Sequence, residues 1–397
     1  MTVKQGAAML TEIELLSRNI NQLRPVIEKG IDKAEQQRHL TMEVSQAMAQ
    51  AGLYRIAVPE SLHGGEAHPI DQIKTIETVS EIHGSTGWNL MIGIEVMGIL
   101  AAFYERAIIE PLYSNPGLII SGSVNPLGKA EKVSGGYRIS GQWPFASGIH
   151  NAQYFWCQSI VHENDKPQKD EKGYVFCESL IPADQLGIID TWNVSGMRGS
   201  GSHDVRVERV FVPDNFICRM QTQTPTASGP LYQMPVYSRL AYNKVGVATG
   251  IAMNAITSFV ELATQKKPRG SANLLRDRVE AQNAVADAQR ILGSARSYVF
   301  EQVTDLWNTV EKGEVPTDRQ KALLQLACSG AANETVKAVE KLAYDFPKQI
   351  LGVKDSSYNL FETLKIPNFL IFPGSESKLL KGLELGNSGI ISAVCNV

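Results

Sequence analysis

Hydrophobic periodicity changes twice along this chain of 397 residues, and the two changes limit its fold more than any other feature. Up to about Asn115 the apolar positions recur at helical spacing, beginning with Ile13, Leu16, Ile20, Leu23 and Ile27. Thr11 followed by Glu14 has the form of a capping box at the start of that run. A second helix is predicted over Met42 to Ala51, closed by Gly52. After the Pro- and Gly-punctuated AVPESLHGG comes a helical pattern from Ile70 to His83, which Gly84-Ser85-Thr86-Gly87-Trp88 is predicted to interrupt before another apolar helix. From about Leu118 to Met220 the period shortens. VSGGYRISGQWPF, YVFCESLIP and DVRVERVFVP are short β-rich runs bounded by Gly, Pro and Asp, the pattern of an antiparallel sheet. Helical spacing then returns over Val236 to Gln265 and Asn273 to Lys312, with a further start at a Thr317–Gln320 capping box. Proline-free helices of this length predict a bundle. The expected fold is therefore α+β in three parts: helices over 1–117, an antiparallel β-domain over 118–225 and a helical bundle over 226–397.

Charge and composition exclude several classes. The 38 basic and 41 acidic residues leave a net charge of −3 with no basic arm, so nucleic acid is not an expected partner. The apolar stretch Met91 to Ala102 contains Glu95 and glycines and falls short of the roughly 20 residues of a membrane span. The N-terminal MTVKQGAAMLTEIELL has no continuous apolar core, so no secretory signal is expected and the expected compartment is the cytoplasm. Five widely spaced cysteines without a CxxC pair or Cys/His cluster argue against a disulfide framework and against a metal site.

Chemistry concentrates between Ser121 and Pro213. The run SVNPLGKA is followed by a GGY turn, then by GQWPFASG, and later by WNVSGMRGSGS. Alternate residues of a strand share a face, so GQWPFASG can present Trp143, Phe145 and Ser147 together, aromatic surface beside a hydroxyl. The same two aromatics also suit a buried sheet core. The Trp192–Ser202 segment is rich in glycine yet is no phosphate loop, since it lacks Lys-Ser/Thr after the glycines and a strand-like run follows it. His83, His150 and His203 border these motifs, and imidazole titrates in the range useful for proton transfer.

These motifs, in this order, resemble the acyl-CoA dehydrogenase superfamily. The resemblance is strongest to its branch of two-component flavin-dependent monooxygenases, whose pattern runs proline-glycine loop, GGY, W-x-F/W-x-S-G, then W-x-x-x-G-x-x-G-[ST]-G-S. PESLHGGEA (Pro59 to Ala67) and HGSTGW (His83 to Trp88) resemble its N-terminal helical domain. The resemblance implies helices, a central β-domain and a C-terminal four-helix bundle that assembles tetramers. It implies reduced FMN or FAD, delivered by a separate reductase, and transfer of oxygen from O₂ to a small organic substrate. It implies cofactor contacts at Ser121, Ser123, Trp143, Phe145, Ser147, Trp192, Ser200 and Ser202, with Gln282 matching a glutamine of the long helix and Arg278 or Arg269 as the arginine that reaches the flavin of a neighbouring subunit. Ser147, His150 and His203 are the candidate catalytic residues.

The C-terminal 80 or so residues depart from both branches. Where acyl-CoA dehydrogenases carry a glutamate base in Y-E-G-T, this chain reads IFPGSES, with Pro373 at that place and Glu376 three residues on. The earlier helix, whose stretch VYSRLAY corresponds to the base position of some members, offers Ser238. No histidine follows His203, although the monooxygenases end with one that deprotonates a phenol. A dehydrogenase with a displaced base and a silent member of the fold are the alternatives.

Overall fold

The computed structural model describes residues 12–268, 271–346, 352–355 and 370–373. The capping box at Thr11 lies outside them. Five helices come first: α1 (Glu12–Gln37), α2 (Met42–Gln50), α3 (Pro69–Ile82), α4 (Gly84–Phe103) and α5 (Arg106–Tyr113). Gly52, at φ +76°, turns the chain after α2, where the sequence pattern had placed the stop.

The GSTGW segment does not interrupt the helices as predicted; it forms the first turn of α4. The break falls one residue earlier, at His83, whose backbone is extended. The glycines serve close packing there. A Cβ on Gly87 would lie 1.9 Å from Ser80 Oγ of α3, so the two helices meet almost backbone to side chain. By length and composition α4 could cross a membrane, but 89% of its apolar window is buried within the protein.

The central sheet is built from β1 (Ile120–Val133), β2 (Gly136–Trp143), β3 (Tyr154–Glu163), the two-residue β4 (Lys166–Pro167), then β7 (Phe176–Pro182), β8 (Gly187–Ile189), β9 (Asp204–Pro213) and β10 (Ile217–Cys218), while β5 (Lys169–Asp170) and β6 (Gly173–Tyr174) pair only with each other. Its order is β10-β7-β3-β1-β2-β9-β8, with β4 on β3. The sheet is antiparallel except between β1 and β3, which run parallel, so the purely antiparallel expectation is corrected to a mixed sheet. The parallel pair brings Ser121 and Ser123 of β1 alongside Phe155 and Cys157 of β3, and a bulge between Ser123 and Gly128 shifts the register beyond them.

The remaining helices are α6 (Pro230–Gln233), α7 (Val236–Gln265), α8 (Val279–Glu311) and α9 (Asp318–Asp345). The Thr317–Gln320 capping box is formed, with Thr317 Oγ1 accepting from the Gln320 N–H. Helix α8 starts later than the predicted Asn273. Asp277 caps the Leu274 N–H and holds a short 3₁₀ turn first, and Arg278 becomes the N-cap. Among the described residues the C-terminal part ends in a parallel pair, β11 (Gly352–Asp355) with β12 (Leu370–Pro373). Pro373 is therefore on a strand. Glu376 lies outside the described residues.

A two-point ion pair ties α3 to the bundle. Arg296 of α8 donates to both oxygens of Glu77 on α3, at 2.7 and 2.9 Å. The Glu77 side chain is buried, so truncating Arg296 strands a carboxylate. Arg296→Ala is expected to cost about 3–5 kcal/mol in urea unfolding, and the Glu77→Gln/Arg296→Met pair distinctly less.

Candidate functional site

Two loops make the site by hydrogen-bonding to each other. Pro144 follows β2 and lacks an N–H, and Phe145 then takes a left-handed backbone at φ +61°. Gly148 turns the chain again at φ +76°, and a Cβ there would lie 2.3 Å from Asn89 Oδ1. The second loop runs from Trp192 to His203, with Met197 and Gly201 left-handed around a 3₁₀ turn at Arg198–Ser200. The Ala146 N–H donates to His203 O at 2.8 Å and the Gly148 N–H to Ser200 O at 3.1 Å, which zips the loops together. Non-glycine residues held at positive φ store strain, and such strain clusters at functional sites.

Inside the zip lies a chain of buried hydroxyls. Ser147 Oγ is 2.7 Å from Ser202 Oγ, which is 2.8 Å from Ser200 Oγ. The Trp88 indole N–H donates to Ser147 Oγ at 2.9 Å, and the Ser121 hydroxyl donates to Ser147 O at 2.8 Å. Asn89 Nδ2 donates to Ser200 O. A cavity of about 10 Å³, lined by Asn89, Ile92, Ser121, Ser147 and Gly148 among others, abuts the chain and has room for about one water. Ser123 is buried as well, with its Oγ accepting from the Asn125 N–H.

The two aromatics of GQWPFASG part company. Strand β2 ends at Trp143, so the shared face expected for Trp143, Phe145 and Ser147 does not exist. Trp143 is fully buried in the sheet core; its indole donates to Gln158 O and lies where a Cβ on Gly128 would be. It packs within the β-layer. Phe145 is half-buried, outside that core, with its ring edge-on to Trp192 at 6.1 Å. The aromatic wall of the site is Phe145 with Trp192.

The histidines form a cluster that the sequence only half revealed. His39 stacks on His150 with ring centroids 4.1 Å apart, and His150 meets His203 edge-on at 4.9 Å. Burial lowers His150 to about 4, helped by repulsion from His39 and His203, and its Nδ1 is buried without a hydrogen-bond partner among the described residues. Burial also lowers His203, against the attraction of Asp190. His203 Nδ1 lies 3.3 Å from the Trp192 N–H and 3.4 Å from Asp190 Oδ1. Arg38 grips both oxygens of Asp190, at 2.5 and 2.6 Å. His83 stands apart: it bonds Thr86 Oγ1 and Glu35, a tether at the start of α4.

Glu35 is the residue that sequence reasoning missed most. It reads as one more polar position on α1, yet its carboxylate accepts from Ser85 Oγ at 2.6 Å, His83 Nε2 at 3.1 Å, the Arg198 N–H at 3.1 Å and the Gly199 N–H at 2.9 Å. Burial alone would raise this carboxyl, but the bonds from His83, Ser85 and Gly199 outweigh it and hold it at about 2. His39, Arg38 and Asp190 carried no motif either. Trp88 and Asn89 were visible only as part of a helix-turn pattern.

Arg278 and Gln282 are not brought to the hydroxyl chain within one subunit. Arg278 and Gln282 are exposed at the start of α8, with Gln282 Nε2 on Arg276 O. Arg278 is the N-cap rather than a member of the helix face. Arg269 lies outside the described residues. Ser238 is buried near the start of α7.

Comparison with known proteins places this geometry. Residues 243–345 match the family described as acyl-CoA dehydrogenase, C-terminal domain. Indole-3-acetate monooxygenase of Pseudomonas putida is 32% identical over 299 residues, 75% of this chain and 75% of that protein. The chain belongs to the flavin-dependent monooxygenases of acyl-CoA dehydrogenase fold. A Rhizobium protein named FADH₂-dependent resorcinol hydroxylase, oxygenase component, is 28% identical over 247 residues, 60% of this chain and 59% of its own length. Among solved structures, 3-HSA hydroxylase from Rhodococcus sp. RHA1 superposes with a TM-score of 0.76 at 25% identity, covering 83% of this chain and 85% of that one. For this monooxygenase a dehydrogenase base is not required, in keeping with Pro373 at the glutamate's place.

The site makes the monooxygenase sensitive to acid in two windows. His150 is depressed from about 6.5 to about 4, so its share of stability is full above pH 6.5 and falls away as the pH drops to 4. Glu35 is depressed from 4.5 to about 2, so its share is full above pH 4.5 and is lost towards pH 2. Glu35→Gln is expected to cost about 1.5–3 kcal/mol near neutral pH and to flatten the lower limb in chemical unfolding across pH. His150→Gln is expected to flatten the upper limb alone.

Proposed function

We propose that this chain is the oxygenase component of a two-component system, acting on a small aromatic substrate with reduced FMN or FAD supplied by a separate reductase. The reading rests on the buried hydroxyl chain Ser147–Ser202–Ser200, fixed by Trp88 beside the half-buried Phe145 ring. Hydroxyls and an aromatic wall on one rim fit an isoalloxazine, which needs a flat apolar contact and hydrogen-bond partners along its polar edge. Reduced flavin held there would supply the two electrons needed to place one atom of O₂ in the substrate and the other in water.

The protein's own residues do the rest. Ser147, the residue with the most partners in the cluster, presents its hydroxyl to the ring edge, and Ser202 and Ser200 hold that hydroxyl in place. Ser121 orients the Ser147 carbonyl, and Ser123 lies on the same strand. Phe145 and Trp192 cover the ring and exclude water, which limits wasteful release of peroxide. Burial favours the neutral imidazoles of His150 and His203, and Nδ1 of His150 has no hydrogen-bond partner among the described residues. Arg269, Arg278 and Gln282 are assigned to the flavin of a neighbouring subunit in a tetramer, and the compartment to the cytoplasm. The division 1–117, 118–225 and 226–397 into three domains belongs to the same reading. The Pseudomonas relative's name makes arylacetates the first substrates to try.

Anaerobic titration with photoreduced FMN and FAD, followed by mixing with oxygenated buffer, tests the proposal. Reduced flavin is expected to bind more tightly than oxidised flavin and to release peroxide more slowly than free flavin does. Reoxidation indistinguishable from that in buffer defeats the reading. Ser147→Ala is expected to weaken reduced-flavin binding by about 3- to 10-fold through loss of one hydrogen bond.

A further inference from the structure

A second buried polar group lies further along α4. Arg239, near the start of α7, is only 3% exposed, and its Nη1 has no hydrogen-bond partner among the described residues. Its guanidinium carbon sits 5.7 Å from the centre of the Tyr232 ring, beside the Tyr242 hydroxyl. Its Nη2 fills the space over Gly98, where a Cβ would come within 2.7 Å. A buried cation with an unmet N–H is costly and is normally matched by an anion.

The internal anion beside it does not complete that match. Glu95, one turn before Gly98 on α4, has both oxygens 3.3 Å from Lys244 Nζ. Its burial pushes the carboxyl up to about 7, against the pull of Lys244 and Arg239. Two cations thus share one carboxylate whose burial disfavours its charge, and the surplus positive charge falls on Arg239, the more buried of the two.

Helix α4 connects this surplus to the hydroxyl chain. Trp88 and Asn89 touch Ser147 and Ser200, Ile92 lines the cavity beside Ser147, and Glu95 and Gly98 face the Lys244–Arg239 pair. From Trp88 to Gly98 is about 15 Å along the helix axis. The guanidinium therefore lies along one helix from the hydroxyls, with apolar Ile92 between them.

We propose that Arg239 anchors the carboxylate of an aromatic acid substrate, whose ring lies along α4 towards Ser147. The anchor deepens the reading above and rests on it. A guanidinium recognises a carboxylate by paired charge-assisted hydrogen bonds, and an uncharged isostere leaves it unpaired. A flavin phosphate carries similar anionic chemistry, so the test separates the two.

The experiment is calorimetric titration of the flavin-free protein with indole-3-acetate and phenylacetate, each against its primary amide, using wild type, Arg239→Met and Arg239→Lys. The acids are expected to bind wild type at least about 10-fold more tightly than the amides. Arg239→Met is expected to erase that preference while retaining its anaerobic affinity for reduced FMN, and Arg239→Lys to restore part of it. Equal binding of acids and amides by wild type overturns the proposal, as does a preference that survives in Arg239→Met. If Arg239→Met instead loses reduced FMN, and inorganic phosphate competes at the wild-type site, the anion is the flavin's phosphate and the substrate anchor falls. Should Arg239→Met not fold, the acid–amide comparison in wild type and in Arg239→Lys still decides. Failure of wild type to bind any reduced flavin would strike the oxygenase reading itself and leaves a distinct signature from loss of acid preference alone.

Discussion

The site depends on one carboxylate. Glu35 of α1 receives two side-chain donors from the start of α4 and two backbone N–H groups from the Arg198–Gly199 turn. Its charge joins the first helix, the central helix and the glycine-rich loop at a single point. Four donors on an ionised acceptor explain why the carboxyl stays charged although half-buried. With the loop fixed there, Ser200 and Ser202 meet Ser147, and His203 meets His150. Without that point the loop would keep its backbone bonds, the Asn89 and Trp192 contacts and the serine chain.

Buried charge is handled in three ways elsewhere. Glu77 is neutralised by a two-point contact from Arg296, a tie between α3 and α8. Glu178, fully buried in the sheet, has a Gln158 amide and the Met220 N–H as its nearest donors, and burial accordingly raises it. Glu95 sits between these cases, with Lys244 and Arg239 close but the balance incomplete. The first arrangement supports the fold, the second is closed upon itself, and the third leaves donor capacity unspent. That difference in satisfaction separates a structural charge from one available to a ligand.

The GQWPFASG segment illustrates how a strand pattern can mislead. GQWPFASG alternates well enough to place Trp143, Phe145 and Ser147 on one face, yet Pro144 ends the ladder and the left-handed Phe145 reverses the direction of its neighbours. Trp143 goes to the core because Gly128 leaves a gap of indole size on the adjoining strand. Phe145 finds Trp192, which is 47 residues away and unconnected to it by any local rule.

The order of helices, sheet and helices was legible in the sequence because hydrophobic period is a local property, and the capping signal at Thr317 and the stop at Gly52 were equally local. The motif residues Ser147, Ser200, Ser202 and His203 were legible by type and spacing. What the tertiary structure alone decided is everything that joins distant segments. The parallel β1–β3 pair, the Glu35 clamp, the His39–His150 stack and the packing of Arg239 over Gly98 each depend on contacts between residues dozens to hundreds of positions apart. A glutamate on a helix surface and one that fastens a site are the same letter in the sequence. Burial and the donors around it, which arise only when the chain closes on itself, make them chemically different.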